Sequence, residues 1–222
     1  MAQRLPDPGA GDEGLSRLVA EALRLLDVRS LALCLHDASF PGDPGDDLGR
    51  GSPASDAGLR FAAFVRGLGF DVLQLGPQGR TPADDPSPYR GSIFVRNPLS
   101  IALAPLTGDA EWGRLLAPEA PQAAAARRPD GAPSRATHDF AQREHALLLE
   151  AASRALRAPA PPDLPRVARE AREERQAAWR RFEQENAAWL SRYAVFEALR
   201  RETGHTDWRA FPGPDGAGLD AR

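Results

Sequence analysis

LQLGPQGRTPADDPSPYRGSIFVRNPLSIA, residues 73–102, decides how the chain is read. It opens in the tail of one apolar run and closes in another, residues 99–103. Between them lies a long loop dense in Gly, Pro, Asp, Ser and Arg. Loops of this length inside a domain are uncommon and often functional. Pro88 biases Ser87 towards extended geometry, so Ser87-Pro88-Tyr89 reads as a stiff, outward-facing tripeptide. A Tyr held this way offers a flat apolar ring with a hydroxyl at its tip, a surface suited to a sugar. The competing explanation is a structural loop in which Tyr89 caps a core, and residue types alone favour it.

Working outward, residues 70–75 form a short apolar run, and so do residues 31–35. Such runs fit strands buried on both faces, as in a parallel sheet. Residues 55–68 between them carry Leu59, Phe61, Ala62, Phe64, Val65 and Leu68 on one side of a helix. Ser55 caps it and Gly69 stops it. Strand, helix, strand implies a parallel pair, and residues 99–103 would be a third strand. Residues 15–26 form an amphipathic helix outside that core, with Leu15, Leu18, Val19, Ala22, Leu23 and Leu26 at helical spacing. Residues 117–134 are rich in Ala, Pro and Arg with little apolar periodicity, and read as an exposed connection. Helical patterns follow at 137–156 and 167–204. Asn186 would cap a second segment of the latter, and its stripe of aromatics reads as core. The resulting division is a disordered tail at 1–14, βα units at 15–105, a mobile connection at 106–136 and a helical subdomain at 137–222.

Bulk properties exclude several function classes. At 222 residues the chain has room for one large domain or two small ones. A net charge of −3 without a basic block argues against nucleic acid and anionic membranes. All basic side chains are Arg, which reflects a GC-rich coding bias rather than arginine chemistry. The single cysteine, Cys34, sits in an apolar run and reads as a buried free thiol in a reducing cytoplasm. No apolar stretch reaches membrane-spanning length.

Ordered motifs add a resemblance. Leu75-Gly76-Pro77, Ser87-Pro88-Tyr89 and Asn97-Pro98-Leu99 follow one another here. Upstream are His36, Ser39, Phe40, Pro41 and Gly42, then Asp47-Leu48-Gly49. Downstream are Asn186, Trp189, Leu190, Tyr193, Phe196 and Leu199, then Trp208 and Phe211-Pro212. Each tripeptide is weak alone, but the ordered set resembles the 4-alpha-glucanotransferases (amylomaltase or disproportionating enzyme, glycoside hydrolase family 77). Pro86 stands where the family usually has Asp, Arg90 where it has Gln and Phe40 where it has Leu. The resemblance implies an α/β fold: an incomplete (β/α)8 TIM-barrel-like parallel sheet with a helical insertion. It implies alpha-1,4-glucan or maltooligosaccharide as ligand, no cofactor, and a cytoplasmic protein of alpha-glucan metabolism. It implies sugar-binding roles for Ser87, Tyr89, Asn97 and His36, with Tyr89 stacking on a ring and Ser87 bonding a hydroxyl.

Retaining transfer of a glucan requires two carboxyls roughly 5 Å apart flanking the bond. By the same resemblance, the family's nucleophile, acid/base and stabilising carboxylate lie in later strands, so no catalytic residue is assigned here. Asp84 and Asp85 are adjacent in a loop, Asp46 and Asp47 flank Gly-rich turns, and His36-Asp37 follows the first strand. None has the spacing of a catalytic pair, and turn formation accounts for them. No metal-ligand spacing is present. Three parallel strands cannot close a barrel and leave an unpaired edge. The remaining strands would come from a second chain, or the product is truncated or a non-catalytic glucan-binding pseudoenzyme.

Overall fold

The computed structural model describes residues 12–82, 85, 87–92, 94–129, 138–205 and 207–211. The division places most of the expected tail, and Asp84 and Pro86, outside the described residues. The chain forms two units, Met1–Ala171 and Arg172–Arg222.

In the first unit, α1 (Asp12–Leu25) is followed by β1 (Ala32–Leu35), α2 (Pro44–Asp47), α3 (Asp56–Gly67) and β2 (Val72–Leu75). Ser55 sits at the N-cap of α3, where its side chain accepts the Gly58 N–H. That satisfies one of the donors a helix start leaves free. The strands pair in parallel, with Ala32 opposite Val72 and Leu35 opposite Leu75. The helix α1 packs on the end of α3, where Val19 closes over Gly69. Leu18 and Leu25 remain exposed.

Two expectations about the sheet are corrected. Among the described residues it has two strands, not three. Residues 99–103 turn instead. Pro98 opens a 3₁₀ turn, Pro98–Ser100, and the Asn97 side chain accepts the Leu99 N–H. The Leu103 N–H then bonds the Asp46 carbonyl at 2.8 Å, and the Ala104 N–H bonds Asp46 Oδ1 at 2.8 Å. A backbone whose donors are taken by a neighbouring turn has none left for a ladder. Nor are the strands buried on both faces: Cys34, Val72 and Leu75 are exposed. The free thiol of Cys34 is therefore open to solvent in this chain, not enclosed.

The core lies under the helices. Leu48, Leu103, Leu106, Leu115, Leu116, Phe140 and Leu156 form one cluster with Ala124 and Ala152. Burial of a side chain such as Leu103 contributes roughly 1.5–3 kcal/mol. Much of this cluster comes from the stretch expected to be a mobile connection. That stretch holds α4 (Ala104–Thr107), α5 (Asp109–Trp112) and α6 (Ala120–Ala125), with Ala124 fully buried. Alanine leaves little periodic signal but lets α6 pack closely on α2 and α7 (His138–Arg157). Residues 130–137 lie outside the described residues.

The region 166–203 forms α8 (Arg166–Glu185) and α9 (Ala187–Thr203), broken at Asn186. Asn186 does not cap α9 through its side chain. Its amide donates to the Phe182 carbonyl at 2.9 Å and its Oδ1 accepts from Trp189 Nε1 at 2.8 Å. Within the second unit the aromatics make a continuous ladder through Trp179, Phe182, Trp189, Tyr193, Phe196 and Phe211. Successive ring centroids are 5.6–6.5 Å apart. Trp179, Phe182 and Trp189 stay exposed at 37–43%, while Tyr193 and Phe196 are half-buried and Phe211 is buried, so the stripe expected to be core is core only at its far end.

Candidate functional site

Two residues beyond the C-terminal end of β2, the chain enters a closed loop. The Arg80 N–H bonds the Val95 carbonyl, the Ser92 N–H bonds the Arg80 carbonyl, and the Asn97 N–H bonds the Gln78 carbonyl, all at 2.9 Å. Gly79 and Arg96 face each other across an antiparallel bridge. Glycine is required at position 79, because a Cβ there would lie 1.9 Å from the Ser92 carbonyl oxygen. Closing the loop this way leaves a groove of about 480 Å³ along one side. Pro77, Gln78, Pro88, Tyr89, Phe94 and Arg96 contribute to its walls.

Tyr89 sits on the rim in a 3₁₀ turn, Pro88–Arg90, and is 86% exposed. Ser87 before it, with φ −60° and ψ 122°, stays out of the α region that a following proline disfavours. The turn is tied from below by Asp85, whose Oδ1 accepts the Ser87 N–H at 2.8 Å and whose Oδ2 accepts from Arg90 Nη1 at 3.0 Å. The Ser87 N–H first, and the Arg90 guanidinium after it, hold the Asp85 carboxyl below the usual carboxylate range. Arg90, at the position where a Gln was expected, thus clamps the turn that presents Tyr89.

The other two candidates serve the scaffold. Asn97 is 5% exposed, and its side chain is spent on the Leu99 N–H at 3.1 Å and on the Thr81 hydroxyl at 3.5 Å. It shapes the groove without reaching it. His36 caps the 3₁₀ turn Asp37–Ser39 at the end of β1, with Nδ1 3.0 Å from Asp37 Oδ1. Its Cδ2 lies 2.9 Å from where a Cβ on Gly76 would stand, so the ring wedges between the two strand ends. Of the four candidates, only Tyr89 lines the groove; Ser87 adjoins it.

The acids near the site are structural. Asp46 Oδ1 accepts the Ala104 N–H and Oδ2 the Asp56 N–H, joining α2 to α4 and α3. Asp47 Oδ1 accepts the Asp43 and Gly49 N–H groups at 2.8 and 2.9 Å. Burial raises its carboxyl above the usual range, against those hydrogen bonds. Asp37, 1% exposed, faces Arg50 Nη2 at 3.3 Å and accepts from the Ser100 hydroxyl at 2.6 Å. Arg50 Nη1 donates to the Gly51 and Leu99 carbonyls. This knot fastens the end of β1 to the turn below the groove. Among the described residues no cluster of His, Cys, Asp and Glu suits a metal ion. No helix there is long and apolar enough to cross a membrane.

Comparison with known proteins decides the family. A family model described as 4-alpha-glucanotransferase matches residues 39–216. The chain belongs to the 4-alpha-glucanotransferase family. A curated relative, the 4-alpha-glucanotransferase of Thermus thermophilus, is 32% identical over 187 residues. The matched region is 84% of this chain but 32% of that protein, so the chain spans about a third of the relative's length. No solved structure matches the chain significantly. The family match takes in Ser87, Tyr89 and Asn97 but begins after His36.

Sequence reasoning passed over Phe94, Gln78, Arg96, Arg50 and Ser100. Phe94 lay inside the long loop, and no motif drew attention to it. Arg50 was one of many arginines in a chain that uses no lysine, and nothing marked it as buried.

Proposed function

We propose that the chain is a glucan-binding portion of a 4-alpha-glucanotransferase, and that the groove beside Tyr89 receives an alpha-1,4-glucan or maltooligosaccharide. The observation that carries this is Tyr89 itself. A large ring held 86% in solvent by a clamped turn, over a groove with an amide and a guanidinium, has no packing role to explain it. Its face suits the C–H face of a pyranose, while Ser87, Gln78 and Arg96 suit hydroxyls.

In this account the described acids near the groove make no catalytic pair. Asp37, Asp46 and Asp47 are buried and engaged in hydrogen bonds that hold the fold, and Asp85 is committed to its turn. Two carboxyls aimed at a glycosidic bond must therefore come from elsewhere in an active assembly. The solvent-exposed strands leave a place for further parallel strands of a TIM-like barrel, which a second chain would provide.

Calorimetric titration with maltoheptaose tests the binding claim. Tyr89→Ala is expected to weaken the affinity about tenfold, the loss of roughly 1.4 kcal/mol of stacking. Equal affinity in both proteins removes Tyr89 from the site. The same preparation should release no glucose from maltotriose, and measurable release contradicts the non-catalytic assignment.

A further inference from the structure

The groove carries a second exposed ring. Phe94 is 81% exposed, and unlike Tyr89 it has no hydroxyl to satisfy in water. Apolar side chains on a surface are common, but a whole phenyl ring on a held loop is not. Two hydrogen bonds hold the backbone at and after Phe94. The Phe94 N–H bonds the Ser92 hydroxyl at 3.2 Å, and the next residue, Val95, accepts the Arg80 N–H at 2.9 Å. The ring thus stands on a hydrogen-bonded residue, and it lines the same groove as Tyr89.

We infer that Phe94 is a second stacking platform, so that the groove takes a glucan segment across two rings rather than one terminal sugar. This rests on the glucan reading given above. The chemistry of the walls fits such a segment. Beside the rings the groove is lined by Gln78, whose amide nitrogen is anchored on the Gly76 carbonyl at 3.0 Å, and by Arg96, and none of its described lining residues is a carboxylate. Gln78 thus points its amide in a fixed orientation, and the proline rings of Pro77 and Pro88 add apolar surface. A groove of about 480 Å³ is within the range of small-molecule sites. Two aromatic platforms favour a ligand with repeated apolar faces, which a linear glucan has and a single glucose has not.

Three variants of the full chain separate the outcomes: Phe94→Ala, Phe94→Trp and Tyr89→Ala, each titrated with maltose and with maltoheptaose by calorimetry. Phe94→Ala is expected to weaken maltoheptaose about tenfold and to leave thermal unfolding unchanged, because the ring is exposed. Phe94→Trp should keep the affinity and show a change of indole emission on adding maltoheptaose. The preference of the natural chain for maltoheptaose over maltose should shrink in Phe94→Ala. If Phe94→Ala binds like the natural chain while Tyr89→Ala is weakened, the second platform is wrong and the glucan reading stands. If the natural chain binds neither sugar, the glucan reading falls and this inference with it.

Discussion

Replacing Arg50 by Met is expected to destabilise the chain by about 3–5 kcal/mol, the usual cost of stripping one partner from a buried ion pair. Asp37 and Arg50 are 1% and 5% exposed, so neither charge is solvated in the fold. Without the guanidinium, Asp37 would keep the Ser100 hydroxyl at 2.6 Å and the Ala38 N–H at 2.8 Å but face no positive charge from Arg50. The Leu99 and Gly51 carbonyls would lose a donor as well. The pair itself is not a source of large net stability. Its 3.3 Å separation is longer than the best charge-assisted hydrogen bonds. The double variant Asp37→Leu with Arg50→Met should therefore recover most of what the single variant loses. Urea denaturation of the two, with the Asp37→Leu single variant completing the cycle, measures this. Equal losses in Arg50→Met and the double variant contradict the role given to the pair.

Acidification should act on the same region through His145. This side chain is fully buried in α7 and neither ring nitrogen has a partner in hydrogen-bonding geometry. Burial first, and the Arg50 guanidinium second, push its pKa down to about 4, while the nearby Ile101 backbone opposes the shift weakly. In the unfolded chain the imidazole titrates near 6.5. Between those two values the unfolded state binds the proton and the folded state does not, so stability falls with falling pH. The contribution is complete above the unfolded value and is lost progressively towards pH 4, on the order of 3 kcal/mol in all. His145→Gln should flatten this part of the pH–stability profile measured by urea denaturation. An unchanged slope in that variant would assign the acid sensitivity to other groups.

Long-range contacts such as these separate what was legible in the sequence from what was not. The helices α3, α7, α8 and α9 were readable because their apolar positions recur at helical spacing and Ser55 or Gly69 marks an end. The parallel pairing of β1 with β2 was readable from strand, helix and strand in succession. The third strand was not, because residues 99–103 are as apolar as a strand. Residues 99–101 instead close a local turn on Asn97 and Pro98, and the Leu103 N–H goes to Asp46, more than fifty positions away. The exposure of Cys34 and Val72 was hidden for a similar reason: an apolar run signals burial whether or not a covering layer is present. The α6 region was misjudged because alanine packs closely without announcing a face.

At the site, Tyr89 was legible from Ser87-Pro88 ahead of it, since proline stiffens the chain locally. Asn97 and His36 were legible as significant but not as scaffold residues. Their partners, Thr81, the Leu99 N–H, Asp37 and Gly76, are set by how the loop closes. Phe94 could have been suspected as an aromatic within a loop rich in Gly, Pro and Ser. Only the bridge between Gly79 and Arg96 shows that it shares a groove with Tyr89.

The most direct measurement is a ¹H–¹⁵N NMR titration of the chain with maltoheptaose. The account predicts shifts concentrated on the amides of Gln78, Gly79, Tyr89, Gly91, Ser92 and Phe94, with α8 and α9 unaffected. A spectrum that does not change, or one whose shifts fall on the Trp179 to Tyr193 ladder instead, contradicts it.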